Sequence, residues 1–171
     1  MASTPAPAPT GRLVDTAEGV GLELSRTLRA PVARVWATLT EPERTALWFG
    51  PWEGEGVPGG TVRVQLAFEE EQPWSDLRID ACRPPHRLAA AMPDEAGDWR
   101  MEALLRPAEG DATALRLVHH LVGTAGVEEI GPGWEYYLDM LGAAVAGTDR
   151  PAFGDYYPAQ RTYFAELLRG R

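Results

Sequence analysis

Lysine is absent from the sequence, and cysteine and histidine are scarce, with one and three copies. All 16 basic residues are therefore arginine, and 25 acidic residues give a net charge of −9. Such a chain lacks the basic face that contacts with nucleic-acid phosphates require, and anionic lipid surfaces repel it. We therefore expect neither nucleic-acid binding nor membrane insertion.

The scarcity of cysteine and of long apolar runs excludes two further classes of protein. Cys82 has no second cysteine to pair with, and no stretch approaches the about 20 apolar residues of a membrane-spanning helix. The opening "MASTPAPAPT" has no basic start followed by an apolar run, so we expect no signal peptide. Its Ala-Pro alternation predicts a disordered tail over residues 1–10. We expect a cytoplasmic protein with a single domain over 11–171, including a C-terminal extension from about 148.

Metal and cofactor motifs are also missing. The three histidines and Cys82 have no ligand spacing, and there is no Gly-x-x-x-x-Gly-Lys phosphate loop. No Ser-His-Asp or Cys-His arrangement is apparent. We therefore predict no metal and no cofactor, and we assign no catalytic residue from the sequence.

Helical patterns occupy two parts of the chain. After Pro31, apolar residues at helical spacing predict one short helix, and a second short helix ends at Gly50-Pro51. A long helix is predicted over 131–147, followed by a helical segment from about 158 to 168. The stripe of the long helix that should face the core comprises Trp134, Tyr137, Leu138, Leu141 and Val145. Glu135 and Asp139 lie off this stripe, so we expect them to be solvated.

Alternating patterns predict strands in the rest of the chain. A hairpin precedes the short helices, and five strands separated by turn signals follow between Trp52 and about Val122. In "TVRVQLAF" the alternation places Val62, Val64, Leu66 and Phe68 on one face. The element order predicts an α+β fold in which a curved antiparallel sheet wraps around the long C-terminal helix. Two short helices plug one end, and a cavity between sheet and helix is expected.

Several segments carry a resemblance to a known superfamily. They are "RTLRAPVARVWATLTEPERTALWFGP", "GVPGGTVRV", "ACRPPHRL" and "GPGWEYYLDMLGAAVAG". The sequence resembles the SRPBCC (START-like, birch-pollen-allergen-like) superfamily, in the branch related to the activator of the heat-shock-protein ATPase, C-terminal-domain-like. The resemblance extends from about Gly11 to Leu167 and implies the helix-grip fold. It does not imply a particular reaction, because members include carriers, cyclases and chaperone activators.

The crowded aromatic residues of "ERTALWFGPW" are interpreted as the frame of a cavity, because aromatic side chains dominate both cores and pockets. The predicted ligand-binding residues are those expected to face the space between sheet and helix. They are Trp48, Phe49, Glu53, Val64, Leu66, Phe68, Leu77, Ile79, Met101, His119, Trp134, Tyr137, Leu138 and Leu141.

Three functions remain open at this point. The first is binding of an apolar or amphipathic small molecule, in which Tyr137, His119 and Glu53 supply polar contacts. The second is a cyclase- or aromatase-like enzyme that uses His119 or Tyr137 for proton transfer, although a structural role for His119 is favoured. The third is a protein-interaction or stress- and chaperone-associated module, in which the segment "FGDYYPAQRTYF" binds a partner or forms a homodimer. The alternative for that segment is a helix packed back on the domain.

Overall fold

A single antiparallel sheet of eight strands forms the framework of the computed structural model, which describes residues 7–171. The spatial order is β1-β2-β8-β7-β6-β5-β4-β3. The strands are β1 (Arg12–Thr16), β2 (Gly19–Leu28), β3 (Trp52–Glu53), β4 (Thr61–Gln65), β5 (Trp74–Arg83), β6 (Arg87–Met92), β7 (Trp99–Ala108) and β8 (Ala112–His120). The strands β4 to β8 form the predicted five-stranded meander, and β8 returns to pair with β2 of the N-terminal hairpin.

Four α-helices occur among the described residues: α1 (Val32–Thr40), α2 (Pro42–Thr45), α3 (Val127–Ala146) and α4 (Arg161–Leu167). The short helices α1 and α2 lie between the hairpin and the meander in the chain, and α3 packs across the sheet. Short 3-10 turns cover Phe153–Asp155 and Leu168–Gly170. The predicted helix-grip architecture is therefore confirmed. Within residues 7–171, no helix is both long enough and apolar enough to cross a membrane.

The long helix α3 begins four residues earlier than the sequence pattern predicted. Gly126 precedes it with a φ of +82°, a backbone conformation that glycine adopts without steric cost. Gly131 and Pro132 resemble a helix start but lie within the second turn. The prediction placed the start at Gly131 because proline is favoured in a first turn and disfavoured in the interior.

The strand that begins at Thr61 is shorter than predicted. It ends at Gln65, so Leu66 and Phe68 belong to a turn rather than to the inner face of a strand. Glu71 and Gln72 both have positive φ, and the Leu66 N–H donates to the carbonyl of Pro73. The chain therefore reverses inside the stretch that period-2 alternation assigned to one long strand.

The side of α3 that carries Glu135 and Asp139 is covered rather than solvated. Glu135 is fully buried, and its carboxylate accepts hydrogen bonds from the Thr10 amide and hydroxyl, both at 2.6 Å. The Arg26 guanidinium lies 3.3 Å from Glu135 and donates to Asp139 at 2.8 Å. These contacts overturn the expectation that Glu135 is solvated. They also hold part of the predicted tail against α3, while residues 1–6 lie outside the described residues.

The C-terminal segment packs back on the domain. Phe164 of α4 is fully buried and lies against α3 at Gly131 and against Gly11 at the start of the hairpin. The Tyr163 hydroxyl donates to the Gly11 carbonyl at 2.8 Å, and the Tyr156 hydroxyl donates to Asp139 at 2.7 Å. The aromatic residues that suggested an interface are therefore largely used within the chain.

Candidate ligand-binding cavities

The turn after α2 places the crowded aromatic residues of the sequence at one end of the sheet. Trp48 is buried, and its indole N–H donates to the carbonyl of Thr38 at 2.8 Å. The Thr45 hydroxyl donates to the Gly50 carbonyl at 2.7 Å, which fixes the turn. A Cβ atom at Gly50 would lie 1.5 Å from the carbonyl oxygen of Gln65, so only glycine fits there. This close approach brings Phe49 beside the start of the meander.

A cavity of about 170 Å³, here named the inner cavity, lies between this turn and the sheet and reaches the surface beside Trp52 and the exposed Gly56. The predicted residues that line it are Trp48, Phe49, Val64, Leu77, Ile79, Met101 and Trp134. Further lining residues that the sequence interpretation missed include Leu39, Thr45, Trp52, Cys82, Leu88, Ala90, Ala103 and Leu117. Most of these side chains are apolar. The sequence signal that could have identified those on β6 to β8 is the alternation in each strand, read together with the pairing register.

A bulge in β5 brings Cys82 to the inner cavity. The pairing with β6 shifts between Ile79 and Ala81, so Ile79 pairs with Ala90 and Cys82 pairs with Leu88. An extra residue in one strand reverses the face that the following side chains occupy. Strict alternation from Ile79 would place Ala81 inward and Cys82 outward, which is why the cysteine was not predicted at the site.

A larger outer cavity of about 570 Å³ adjoins the inner one near the start of α3. The predicted residues that line it are Phe49, Leu66, Phe68, Met101, Trp134 and Tyr137. Residues that the sequence interpretation missed include Glu69, Met92, Asp94, Trp99, Glu129, Ile130, Tyr136 and Phe153. Leu66 and Phe68 thus line a cavity, but they do so from a turn.

The two cavities share three side chains, those of Phe49, Met101 and Trp134. The Phe49 ring lies 5.4 Å from the Trp48 ring and 5.5 Å from the Tyr137 ring, measured between centroids. Trp134 and Tyr137 are 6.3 Å apart in an edge-on arrangement. Phe49, Met101 and Trp134 therefore form a common wall, here called the partition, between the two cavities.

Tyr137 supplies a polar group to the outer cavity. Its hydroxyl donates a hydrogen bond of 2.5 Å to the carboxylate of Glu69. Burial raises the pKa of Tyr137 well above its usual value, and the hydrogen bond to Glu69 and that residue's negative charge raise it further. The phenol is therefore neutral and acts as a donor near pH 7.

His119 is buried beside the cavities but lines neither of them. Its Nδ1 accepts the indole N–H of Trp134 at 3.1 Å, and the Trp99 ring lies 4.8 Å from its ring. Burial, with the nearby positive charge of His120, lowers the pKa of His119 to about 4. The imidazole is neutral near pH 7, and one of its nitrogens is occupied by Trp134.

Three other predicted residues lie away from the cavities. Glu53 is exposed and forms an ion pair with Arg63 at 3.4 Å, because its position in β3 faces outward. Leu138 and Leu141 are buried in the core between α3 and the sheet and line neither cavity. The helical stripe correctly predicts burial for both leucines, but a stripe does not separate core positions from cavity walls.

Histidine, cysteine and carboxylate side chains do not converge on a metal-binding arrangement in the part of the chain that the structure describes. The groups that the cavities offer are aromatic faces, aliphatic walls, the phenols of Tyr136 and Tyr137, and carboxylates at the rim. This combination suits noncovalent contact with an organic molecule.

The curved sheet, the long helix that it grips and the space between them define the helix-grip class of protein. A family model described as Activator of Hsp90 ATPase homolog 1-like protein matches residues 29–146. The chain belongs to this family, because the match covers more than half of its length. A search of curated proteins found no significant match.

Solved structures with the same fold include CalU16 from Micromonospora echinospora. Its crystal structure is 27% identical to this chain, with a TM-score of 0.75, and the match covers 95% of this chain and 98% of CalU16. A protein from Bordetella parapertussis, encoded by gene BPP1335, is 25% identical with a TM-score of 0.66 over 98% of this chain and 91% of its own. DynU16, a protein in the dynemicin biosynthetic locus, is 23% identical with a TM-score of 0.65, over 74% of this chain and 47% of its own. This last likeness concerns the fold alone.

Proposed function

We propose that the protein binds an apolar or amphipathic small molecule in the inner and outer cavities, between the sheet and α3. The observation that carries the proposal is the outer cavity of about 570 Å³, which adjoins a second apolar compartment. Small-molecule sites in proteins have volumes of about 300–1,000 Å³ and mostly apolar walls. The outer cavity has this size and this character.

The lining chemistry supports a ligand with both apolar and polar parts. Burial of apolar ligand surface contributes about 25 cal/mol per Å² before the costs of ordering are subtracted. Glu69 accepts one hydrogen bond from Tyr137, and a carboxylate has room for further donors. Polar groups of the ligand would therefore be oriented at the outer cavity, and apolar groups would occupy the more apolar inner cavity.

The experiment that tests the proposal combines native mass spectrometry with a defined probe. The purified protein is examined for a bound molecule that is lost on denaturation, and it is then titrated with 6-propionyl-2-(dimethylamino)naphthalene. We expect the naphthalene to bind with blue-shifted emission, because the cavity walls are apolar. Absence of both a bound molecule and probe binding would contradict the proposal.

Gly133 provides a matched pair of variants for the same titration. This glycine of α3 lines the outer cavity, and a Cβ atom added there meets nothing within 4 Å. We expect Gly133→Phe to fill the cavity and to weaken probe binding at least about tenfold, the loss of about 1.4 kcal/mol of contacts. Gly133→Ala adds only a methyl group and should leave the affinity nearly unchanged. Equal affinity in both variants would place the probe elsewhere.

A second candidate function is proton transfer in the outer cavity, and the Tyr137–Glu69 pair favours it. A carboxylate beside a neutral phenol supplies a base and a hydrogen-bond donor within reach of one reacting atom. In the enolisation of a bound ketone, the ketone oxygen would take the hydrogen bond of the Tyr137 hydroxyl from Glu69, and the freed Glu69 carboxylate would accept the α-proton. The test is exchange of the α-protons of 2-tetralone with deuterated water, followed by NMR. Catalysed exchange that is lost in Glu69→Gln supports the enzyme, and exchange at the uncatalysed rate contradicts it.

A further inference from the structure

We infer that the ligand is bipartite, with a ring-sized hydrocarbon group in the inner cavity joined to a larger, partly polar portion in the outer cavity. This inference rests on the proposed binding function and specifies the class of molecule. The partition formed by Phe49, Met101 and Trp134 would enclose the junction between the two portions.

The size of the inner cavity sets the size of the hydrocarbon group of the ligand. Its volume is about 170 Å³. A cavity of about 150 Å³ with aliphatic and aromatic walls stays dry and accommodates one benzene molecule. The inner compartment therefore has room for one six-membered ring or an alkyl group of about six carbons.

Few polar groups in the walls of the inner cavity are free to contact a ligand. The indole N–H groups of Trp48, Trp52 and Trp134 donate to Thr38, Thr40 and His119 at 2.8, 2.8 and 3.1 Å. The Thr45 hydroxyl donates to Gly50, and the Thr40 hydroxyl donates to the Trp36 carbonyl at 2.8 Å. A polar group inserted here would lose its hydrogen bonds to water without replacement, which is unfavourable. The portion of the ligand in the inner cavity is therefore a hydrocarbon.

The outer cavity differs in both size and chemistry. It is more than three times larger than the inner cavity, at about 570 Å³ against 170 Å³. Aromatic rings of Trp99, Tyr136 and Tyr137 line it, and exposed carboxylates such as Glu69 lie at its rim. It is therefore suited to a fused ring system that carries polar substituents.

The partition limits what passes between the compartments. The Phe49 N–H donates to the Thr45 carbonyl at 2.8 Å, and the Phe49 carbonyl accepts from the Ala67 N–H at 3.2 Å. Because the backbone is held on both sides, a link between the two portions of the ligand would require the Phe49 and Met101 side chains to rotate aside. A slender link between two bulkier portions of a ligand fits such a passage.

The test uses a homologous series of 6-acyl-2-(dimethylamino)naphthalenes with acetyl, propionyl, hexanoyl and lauroyl chains. The naphthalene would occupy the outer cavity and the chain would extend inward. We expect Kd to fall about fourfold for each added methylene until the inner cavity is full, at about six carbons, and then to level off. The emission of the naphthalene reports binding.

A matched pair of variants on β6 separates the two compartments. Ala90 lines the inner cavity, so Ala90→Leu should remove the chain-length dependence and leave the affinity for the acetyl probe nearly unchanged. Ala89→Leu makes the same substitution on the opposite face of the same strand and should preserve the dependence. Circular dichroism and a thermal melt establish that both variants fold.

Cys82 provides an independent readout, because this unique cysteine lines the inner cavity. We expect the hexanoyl probe, but not the acetyl probe, to slow alkylation of Cys82 by N-ethylmaleimide at matched saturation. If the probes bind with no dependence on chain length, or if Ala90→Leu weakens all of them equally, the bipartite inference is wrong and the proposed function stands. If no member of the series binds, the bipartite inference is wrong, and the proposed function is overturned with it when native mass spectrometry finds no bound molecule either.

Discussion

His119 is buried between the indole rings of Trp99 and Trp134, and this environment favours the neutral imidazole. Its pKa is lowered to about 4 from the ordinary value of 6.5. The unfolded chain therefore binds a proton at this residue between pH 6.5 and 4 while the folded chain does not. It follows that His119 contributes stability above pH 6.5 that is lost as the pH falls.

We expect the free energy of unfolding to drop by about 2 kcal/mol between pH 7 and pH 5 because of His119. The measurement is urea denaturation at several pH values. His119→Gln should flatten this dependence, whereas His86→Gln, at an exposed ring, should retain it. If the free energy of unfolding of His119→Gln depends on pH as steeply as that of the wild type, the pH dependence arises from other groups. We limit the comparison to pH 5 and above. Below pH 5 the Glu23 and Glu102 carboxylates, whose pKa values are lowered in the folded protein, also lose their contributions to the free energy of unfolding.

At the scale of single residues, the sequence predicts the positions of apolar side chains better than those of charged side chains. Aromatic crowding and alternation place Trp48, Phe49 and Val64 on the side of their elements that lines a cavity, because local period determines which face such residues occupy. Glu135 could not be predicted, since its burial depends on Thr10 and Arg26, which are distant in the chain. Local spacing places a carboxylate off the apolar stripe but does not show what covers that side of the helix.

Helix α4 packs on α3 at Gly131, where there is no space for a side chain. A Cβ atom at Gly131 would lie 2.3 Å from the Phe164 ring, and a Cβ at Gly11 would lie 2.6 Å from the same ring. Because Phe164 is confined on both sides, we expect Gly131→Ala to destabilise the protein by about 1–3 kcal/mol, as overpacking does. Denaturant unfolding measures the change.

Gly133 is the control in the same helix. It has open space at its Cβ position, so Gly133→Ala should stabilise by up to about 1 kcal/mol through helix propensity alone. In a Phe164→Ala background the clash disappears, and Gly131→Ala should then behave like Gly133→Ala. A destabilisation by Gly131→Ala that persists without the Phe164 ring would refute this account.

Element order was predictable from the sequence, but element ends and irregularities were not. Period and turn residues predict the hairpin, the short helices, the meander and the long helix in the observed order. The turn after Gln65 and the bulge in β5 depend on hydrogen bonds and register between strands that local patterns do not specify. These two features place Phe68 and Cys82 at the cavities, so the site was less predictable than the fold.

At the scale of the whole molecule, residues 7–10 and helix α4 cover the face of α3 opposite the cavities. Thr10 contacts Glu135, the Gln160 side chain donates to the Pro7 carbonyl at 2.9 Å, and Phe164 is fully buried. The cavities on one side of α3 are thus separated from these structural contacts on the other, except that Phe153 of the C-terminal segment lines the outer cavity. Removal of residues 7–10 should act on stability before it acts on the cavities, whereas removal of the C-terminal segment also takes Phe153 from the wall of the outer cavity.

The use of the C-terminal aromatic residues within the chain predicts a monomer. Tyr156 and Phe164 are buried, and Tyr163 is bonded to Gly11, so they are not available to a second copy. We expect sedimentation equilibrium to give the mass of one chain, 18.7 kDa. Deletion of residues 148–171 should lower Tm and expose the apolar surface of α3 around Gly131. A full-length dimer that the deletion converts to a stable monomer would instead support the interface that the sequence suggested, because the segment would then join two copies rather than complete one domain.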